Sequence, residues 1–183
     1  MLASGVGLPP TDAVGVTNTL NDFMLALDQG DAARFADLFA PDGGSCEVVR
    51  LEYTARTRAD LEGLCADLHR RFAGTLHFEL NHVIRQQAIP PASQPIDPAA
   101  GQTSRQACTN RSYWQAVRDG ETVSSGIHVD DLERDPATGL WLFRRRRIWH
   151  VWTKGAGAER DRWHGVDLGG GNDAPANAGA TAS

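Results

Sequence analysis

Leu76-His77-Phe78-Glu79-Leu80-Asn81 alternates apolar and polar side chains without a break, and that period of two constrains the fold more than any other feature of the chain. In strand geometry it sends His77, Glu79 and Asn81 to one face and Phe78, Leu80 and His82 to the other. An imidazole, a carboxylate and an amide cost stability if buried without partners, so a fold that covers this row lines a wet or ligand-filled cavity with it. A small-molecule pocket is the expectation. Glu79 sharpens it, because an enclosed carboxylate is costly. Either it pairs with an arginine or the row turns outward there and the site shrinks to His77.

Residues 75–86, 107–118, 122–134 and 140–152 all read as strands. Asp119-Gly120 is a hairpin signal between the second and third, and Asp135-Pro136-Ala137-Thr138-Gly139 a looser turn between the third and fourth. Four such strands in succession predict an antiparallel meander. Upstream the period changes. Thr11 or Asp12 can cap a helix in which Val14, Val16, Leu20, Phe23, Met24 and Leu27 recur at helical spacing up to Asp28. Gly30 ends it, Asp31 caps a short second helix carrying Phe35, Leu38 and Phe39, and Pro41 follows. Residues 45–53 are rich in strand formers, and residues 58–72 place Leu61, Leu64, Cys65 and Leu68 at helical intervals. The order α-α-β-α followed by a meander predicts an α+β domain. In it a curved antiparallel sheet wraps around the N-terminal helices to form a cone with a cavity on its concave side.

The 183 residues suffice for one domain, expected over residues 11–153. Residues 1–10 and the Gly/Ala-rich tail 154–183, with its lone Trp163, are too poor in apolar side chains to fold and are expected to be disordered. Residues 88–106, rich in proline, are expected to form a loop insertion at the pocket mouth. No apolar run reaches the ~20 residues of a membrane span. The first ten residues lack a secretory leader, so a cytoplasmic protein with no membrane partner is expected. The net charge of −5 opposes nucleic-acid binding. The run Arg144-Arg145-Arg146-Arg147 alternates between two faces of its strand and reads as a salt-bridged, solvated surface. Cys46, Cys65 and Cys108 fit no disulfide or metal spacing and read as reduced structural thiols.

Several short pieces together resemble the SnoaL-like and scytalone-dehydratase-like branch of the nuclear transport factor 2-like superfamily. They are Leu27-Asp28-Gln29-Gly30-Asp31, Phe39-Ala40-Pro41-Asp42-Gly43, Leu76-His77-Phe78 and Gly126-Ile127-His128-Val129-Asp130 with Trp141-Leu142-Phe143. The resemblance implies a cone-shaped α+β barrel whose interior is the active site in many members. In the dehydratase-like members an aspartate ending the first helix and a histidine entering the first long strand form an acid/base pair; those positions correspond to Asp28 and His77. Leu27 stands where the dehydratase has a tyrosine. His128 takes a late-strand position that is often tyrosine in SnoaL-like proteins and a polar cavity residue in the dehydratase. The superfamily includes isomerases, cyclases, dehydratases, epoxide hydrolases and non-catalytic members, so the resemblance speaks to fold more than to reaction.

The candidate catalytic residues are thus His77, whose ordinary pKa near ~6.5 suits proton exchange at neutral pH, and Asp28, which would orient it. Candidate substrate contacts are Asn81, Tyr113, Trp114 and His128. Arg111, Tyr113 and Gln115 share one face of the second long strand and Ser112, Trp114 and Ala116 the other; either face can line the cavity. His128, Asp130 and His77 match no compact metal motif, so no metal and no cofactor is expected. The expected function is a cofactor-free cyclase, dehydratase or isomerase acting on a cyclic carbonyl compound. The alternative is a non-enzymatic ligand-binding domain, or an assembly domain that forms a homodimer through the outer sheet face with Trp114, Trp149 and Trp152 as interface aromatics.

Overall fold

Helix α1 (Pro10–Gln29) starts earlier than the expected Thr11 or Asp12 cap, because Pro9 is the N-cap and Pro10 fills the first helical turn with its φ already set. The structure, a computed structural model, describes residues 8–87 and 106–155. The expected N-terminal segment, the proline-rich insertion and the tail fall outside these residues, apart from residues 8–10, 106 and 154–155. Gly30 adopts φ +68° and closes the C-terminus of α1, its N–H directed at the carbonyls of Ala26 and Leu27. Asp31 then accepts the Arg34 N–H and caps α2 (Ala32–Asp37). Helix α3 (Arg58–Arg71) opens on a capping box formed by Thr57 and Asp60. Among the described residues no helix is long and apolar enough to cross a membrane.

The segment expected as one strand over residues 45–53 is broken. Strand β1 (Ser45–Val48) ends in a single 3-10 turn at Val49–Leu51, and β2 (Tyr53–Ala55) folds back antiparallel to it. The break falls at Glu52, which sits in the left-handed region at φ +49°. The meander is as expected: β3 (Leu76–Gln86), β4 (Ala107–Arg118), β5 (Glu121–Arg134) and β6 (Trp141–Thr153) pair antiparallel in sequence. The sheet as a whole is mixed rather than antiparallel. After α2 the chain runs alongside β6 in the same direction, from the Phe39–Phe143 bridge into the parallel pairing of β1 with β6, giving the order β2-β1-β6-β5-β4-β3.

Bulges bend this sheet into a half-cone. Asn81 and His82 together oppose Ser112 in the β3–β4 ladder, and Arg144 is an extra residue on β6 between Phe143 and Arg145. Helix α1 buries Val16, Leu20, Phe23, Met24 and Leu27. An aromatic cluster joins helices to sheet, with ring centroids 4.6 Å apart for Phe23–Phe35 and 5.2 Å for Phe39–Phe143. Each such ring removed from water contributes roughly 1.5–3 kcal/mol. The convex face is less covered: Leu76, Phe78, Leu80, Val83 and Tyr113 remain exposed there.

Candidate active site

Two elements meet where α1 ends and β3 begins. Asp28 occupies the last turn of α1, where the negative end of the helix dipole disfavours a carboxylate, and two hydrogen bonds from β3 offset that cost. The His77 backbone N–H donates to Asp28 Oδ2 at 2.9 Å, and His77 Nδ1 lies 2.5 Å from Asp28 Oδ1. A carboxylate only accepts, so the hydrogen of this contact resides on Nδ1 and the lone pair on Nε2 is left to take a proton. The Phe72 ring stands edge-on to the imidazole with centroids 5.7 Å apart.

Beside this pair lies a cavity of about 30 Å³ lined by His77 and His128, by Trp114 and His150, and by apolar side chains that include Met24, Leu27 and Phe72. It has room for one or two water molecules, so a larger organic ligand requires lining side chains to move. Trp114 is fixed over it by backbone chemistry. Its indole N–H donates to the Trp149 carbonyl at 3.2 Å. The opposing residue on β5 must be Gly126, because a Cβ there would sit 1.8 Å from that same carbonyl and 2.6 Å from the indole nitrogen. The indole stacks on His128 at 5.8 Å between centroids.

Behind His128 lies a fully enclosed polar cluster. Arg146 is 0% exposed, its guanidinium carbon 4.1 Å from the centre of the Phe23 ring and 4.7 Å from that of Phe143. Its Nη2 donates to Glu79 Oε2 at 2.7 Å and makes a second contact with His128 Nδ1. The Ser112 hydroxyl donates to Glu79 Oε1 at 2.5 Å. Asp130 accepts from the Asn110 amide at 2.9 Å and stands 3.5 Å from Arg146 Nε. One guanidinium thus serves two carboxylates, and their titrations part. Burial favours the neutral form of Glu79, but the Arg146 charge and the Ser112 hydroxyl outweigh it and hold that carboxyl well below its usual range. Burial dominates at Asp130, whose pKa is pushed up to about 7. Burial and then the Arg146 charge push His128 down to about 4, against the pull of Glu79.

The sequence candidates separate accordingly. Asp28, His77, Trp114 and His128 converge on one concave surface. Asn81 does not: the bulge at Asn81-His82 puts it at φ +56° and turns its side chain to solvent. Tyr113 does not either. It pairs with Leu80 and Ile127 on the convex face and is 53% exposed, so the cavity face of β4 carries Ser112, Trp114 and Ala116. This also removes Trp114 from the expected interface aromatics. Glu79 stays inside with an arginine partner. The arginine run is half as expected, since Arg144 pairs with Asp42 and Glu133 and Arg145 with Asp131 near solvent. Arg146 is the correction, and it is the residue the sequence reading missed. Its signal was parity, since it lies two residues before the buried Ile148 on one strand. The three cysteines are free and buried. Among the described residues no three His, Cys, Asp or Glu side chains are placed to hold a metal ion.

No curated protein matches the chain significantly, but solved structures do. A cystatin-like protein of unknown function from Nostoc punctiforme has a TM-score of 0.59 at 18% identity, covering 79% of this chain and 95% of that one. An NTF2-like protein with a cystatin-like fold from Novosphingobium aromaticivorans gives 0.56 at 20%, over 81% and 86%. ActVI-ORFA from Streptomyces coelicolor gives 0.56 at 23%, over 78% and 96%. At these identities the likeness concerns the fold alone, the NTF2-like α+β cone. The family described as SnoaL-like domain matches residues 11–147, from the start of α1 to the arginine run of β6, and the chain belongs to that family.

Proposed function

We propose that this chain is a cofactor-independent acid–base enzyme, of the cyclase, dehydratase or isomerase type, acting on a small cyclic carbonyl compound. The observation that carries the proposal is the 2.5 Å contact between His77 Nδ1 and Asp28 beside a cavity that His128 also lines. His77 Nε2 takes the proton α to the carbonyl. The C–H electron pair passes into an enolate, and the negative charge collects on the carbonyl oxygen. Asp28 holds the imidazolium that forms, and His128 faces the developing oxyanion. Returning the proton to another carbon gives isomerisation; expulsion of a β-hydroxyl protonated by His77 gives dehydration. Acid–base help of this kind contributes ~10² to 10⁴-fold, and positioning and fixed dipoles supply the remainder. The apolar lining and the Trp114 indole suit a flat, mostly hydrocarbon body bearing one oxygen. Asn81 and Tyr113 have no part in this site.

The test is hydrogen–deuterium exchange at the α-carbon of 2-tetralone, followed by NMR in D₂O with the unsubstituted protein and with His77→Ala. Protein-dependent exchange that His77→Ala abolishes while the fold is retained is the expected result. Equal exchange by both proteins would overturn the role of His77.

A second reading concerns assembly. The exposed apolar row of Leu76, Phe78, Leu80 and Tyr113 on the convex face supports a homodimer through the outer sheet, independent of the cavity. Sedimentation that shifts with concentration, and that Phe78→Glu abolishes, is expected; a concentration-independent monomer contradicts it.

A further inference from the structure

The Arg146 guanidinium makes its close contact with a histidine, a pairing that electrostatics alone disfavours, and proton placement accounts for it. We infer that Arg146, neutralised by Glu79, is a positioning residue that locks His128 in the neutral tautomer with its proton on Nε2, making the ring a fixed hydrogen-bond donor for a carbonyl or enolate oxygen of the substrate. Guanidinium nitrogens only donate. Nη2 has two hydrogens: one goes to Glu79 Oε2 at 2.7 Å, and the other meets His128 Nδ1. That second contact is attractive only if Nδ1 offers a lone pair. A proton on Nδ1 would point into another N–H.

Glu79 Oε1 is the competing partner, 3.3 Å from the same Nδ1, and an acceptor there would favour the opposite tautomer. It is the longer of the two contacts, and Oε1 already receives the Ser112 hydroxyl at 2.5 Å. Of the charged and titratable groups acting on the ring, Arg146 from β6 and His77 from β3 oppose a charge on it and Glu79 from β3 favours one, while α1 places the Phe23 ring 6.2 Å away and edge-on. Burial and the Arg146 charge oppose an imidazolium more than Glu79 favours one. The neutral ring therefore persists at neutral pH.

The contribution to turnover rests on the proposed acid–base function; the tautomer itself does not. Long-range ¹H–¹⁵N correlation on the histidine rings reads it directly in the unsubstituted protein. The expected pattern is a pyrrole-type Nε2 and a pyridine-type Nδ1 for His128 at neutral pH. A pyrrole-type Nδ1, or two equivalent imidazolium nitrogens, would overturn the lock. Arg146→Met removes the donor and leaves Glu79 Oε1 as the only partner, so Nδ1 is expected to become protonated; an unchanged spectrum in the folded variant would overturn the assignment to Arg146. If Arg146→Met does not fold, Arg146→Gln keeps an N–H donor without the charge and is expected to retain the Nε2–H form; loss of that form in the folded protein would contradict a donor-based lock. For α-carbon exchange on 2-tetralone, Arg146→Met and His128→Ala are each expected to lower the rate about 10² to 10³-fold. Their combination should lose no more than either alone, because both delete one donor. If the unsubstituted protein exchanges nothing, the enzyme reading fails, and the ¹⁵N pattern still decides the tautomer.

Discussion

His77 and His128 line the same small cavity, yet one ring nitrogen of His77 meets a carboxylate and one of His128 meets a guanidinium. The difference lies in which partner can accept. Asp28 accepts, so His77 holds its proton on Nδ1 and offers a basic Nε2. Arg146 donates, so His128 keeps Nδ1 bare and offers Nε2–H. A base and a donor on facing parts of one surface are what enolisation of a carbonyl compound needs. The same contrast separates the regions by stability: the Asp28 end is one residue pair joined by two hydrogen bonds near the helix terminus, whereas the Arg146 end is a closed network whose members depend on one another.

Substitutions break this contrast in graded ways. The largest effect is expected at the basic end. His77→Gln keeps a polar side chain of similar reach but has no nitrogen that titrates, and steady-state kinetics should show turnover reduced by roughly 10² to 10⁴-fold with thermal stability little changed. At the other end the loss should appear in stability. Arg146→Met strands Glu79 without its charge partner, and denaturant unfolding should register a cost of about 3–5 kcal/mol. Glu79→Gln combined with Arg146→Met removes both charges and should recover much of that loss; no recovery would mean that the cluster is not organised around this pair.

Smaller and more diagnostic is the pH dependence. Asp130, raised to about 7, keeps a proton in the folded state that the unfolded chain has released. Its contribution is therefore complete below its ordinary pKa near ~4 and is lost as pH rises through about 7. His128, depressed to about 4, works in the opposite sense: its contribution is present above its ordinary ~6.5 and is lost as pH falls through about 4. Between these limits the two proton differences cancel. Asp130→Asn should uncover a stability that rises with pH in that window, by up to ~1.4 kcal/mol per pH unit. His128→Phe should uncover one that falls with pH at a similar rate. Urea titrations of both variants across the window check it, and slopes of the same sign would contradict the assignment. The smallest effect is expected on the convex face. Tyr113→Phe should leave exchange activity unchanged and stability within ~0.5 kcal/mol.

The sequence carried the architecture because periods of two and 3.6 are local properties. Alternation marked all four long strands, and Gly30-Asp31 marked the joint between the first helices. It carried Asp28 and His77 through the resemblance, which placed a helix end beside a strand start that no local pattern relates. Asn81 was lost because a bulge inserts one residue after Leu80 and resets the face; its left-handed φ is one that asparagine tolerates better than most residues. Tyr113 and Trp114 were undecided because the face of β4 depends on its register with β3, which the intervening segment does not encode. Arg146 was hidden in a run of four arginines whose other members are at least partly exposed. Only the need of Glu79 for a cation, together with the burial of Ile148, pointed inward.

The direct measurement is a single ¹H–¹⁵N long-range correlation spectrum of the unsubstituted protein at neutral pH, with His77 and His128 assigned. Opposite patterns are expected: a proton on Nδ1 with a basic Nε2 for His77, and a proton on Nε2 with a bare Nδ1 for His128. The same tautomer on both rings, or a charged His128, would contradict the division into base and donor.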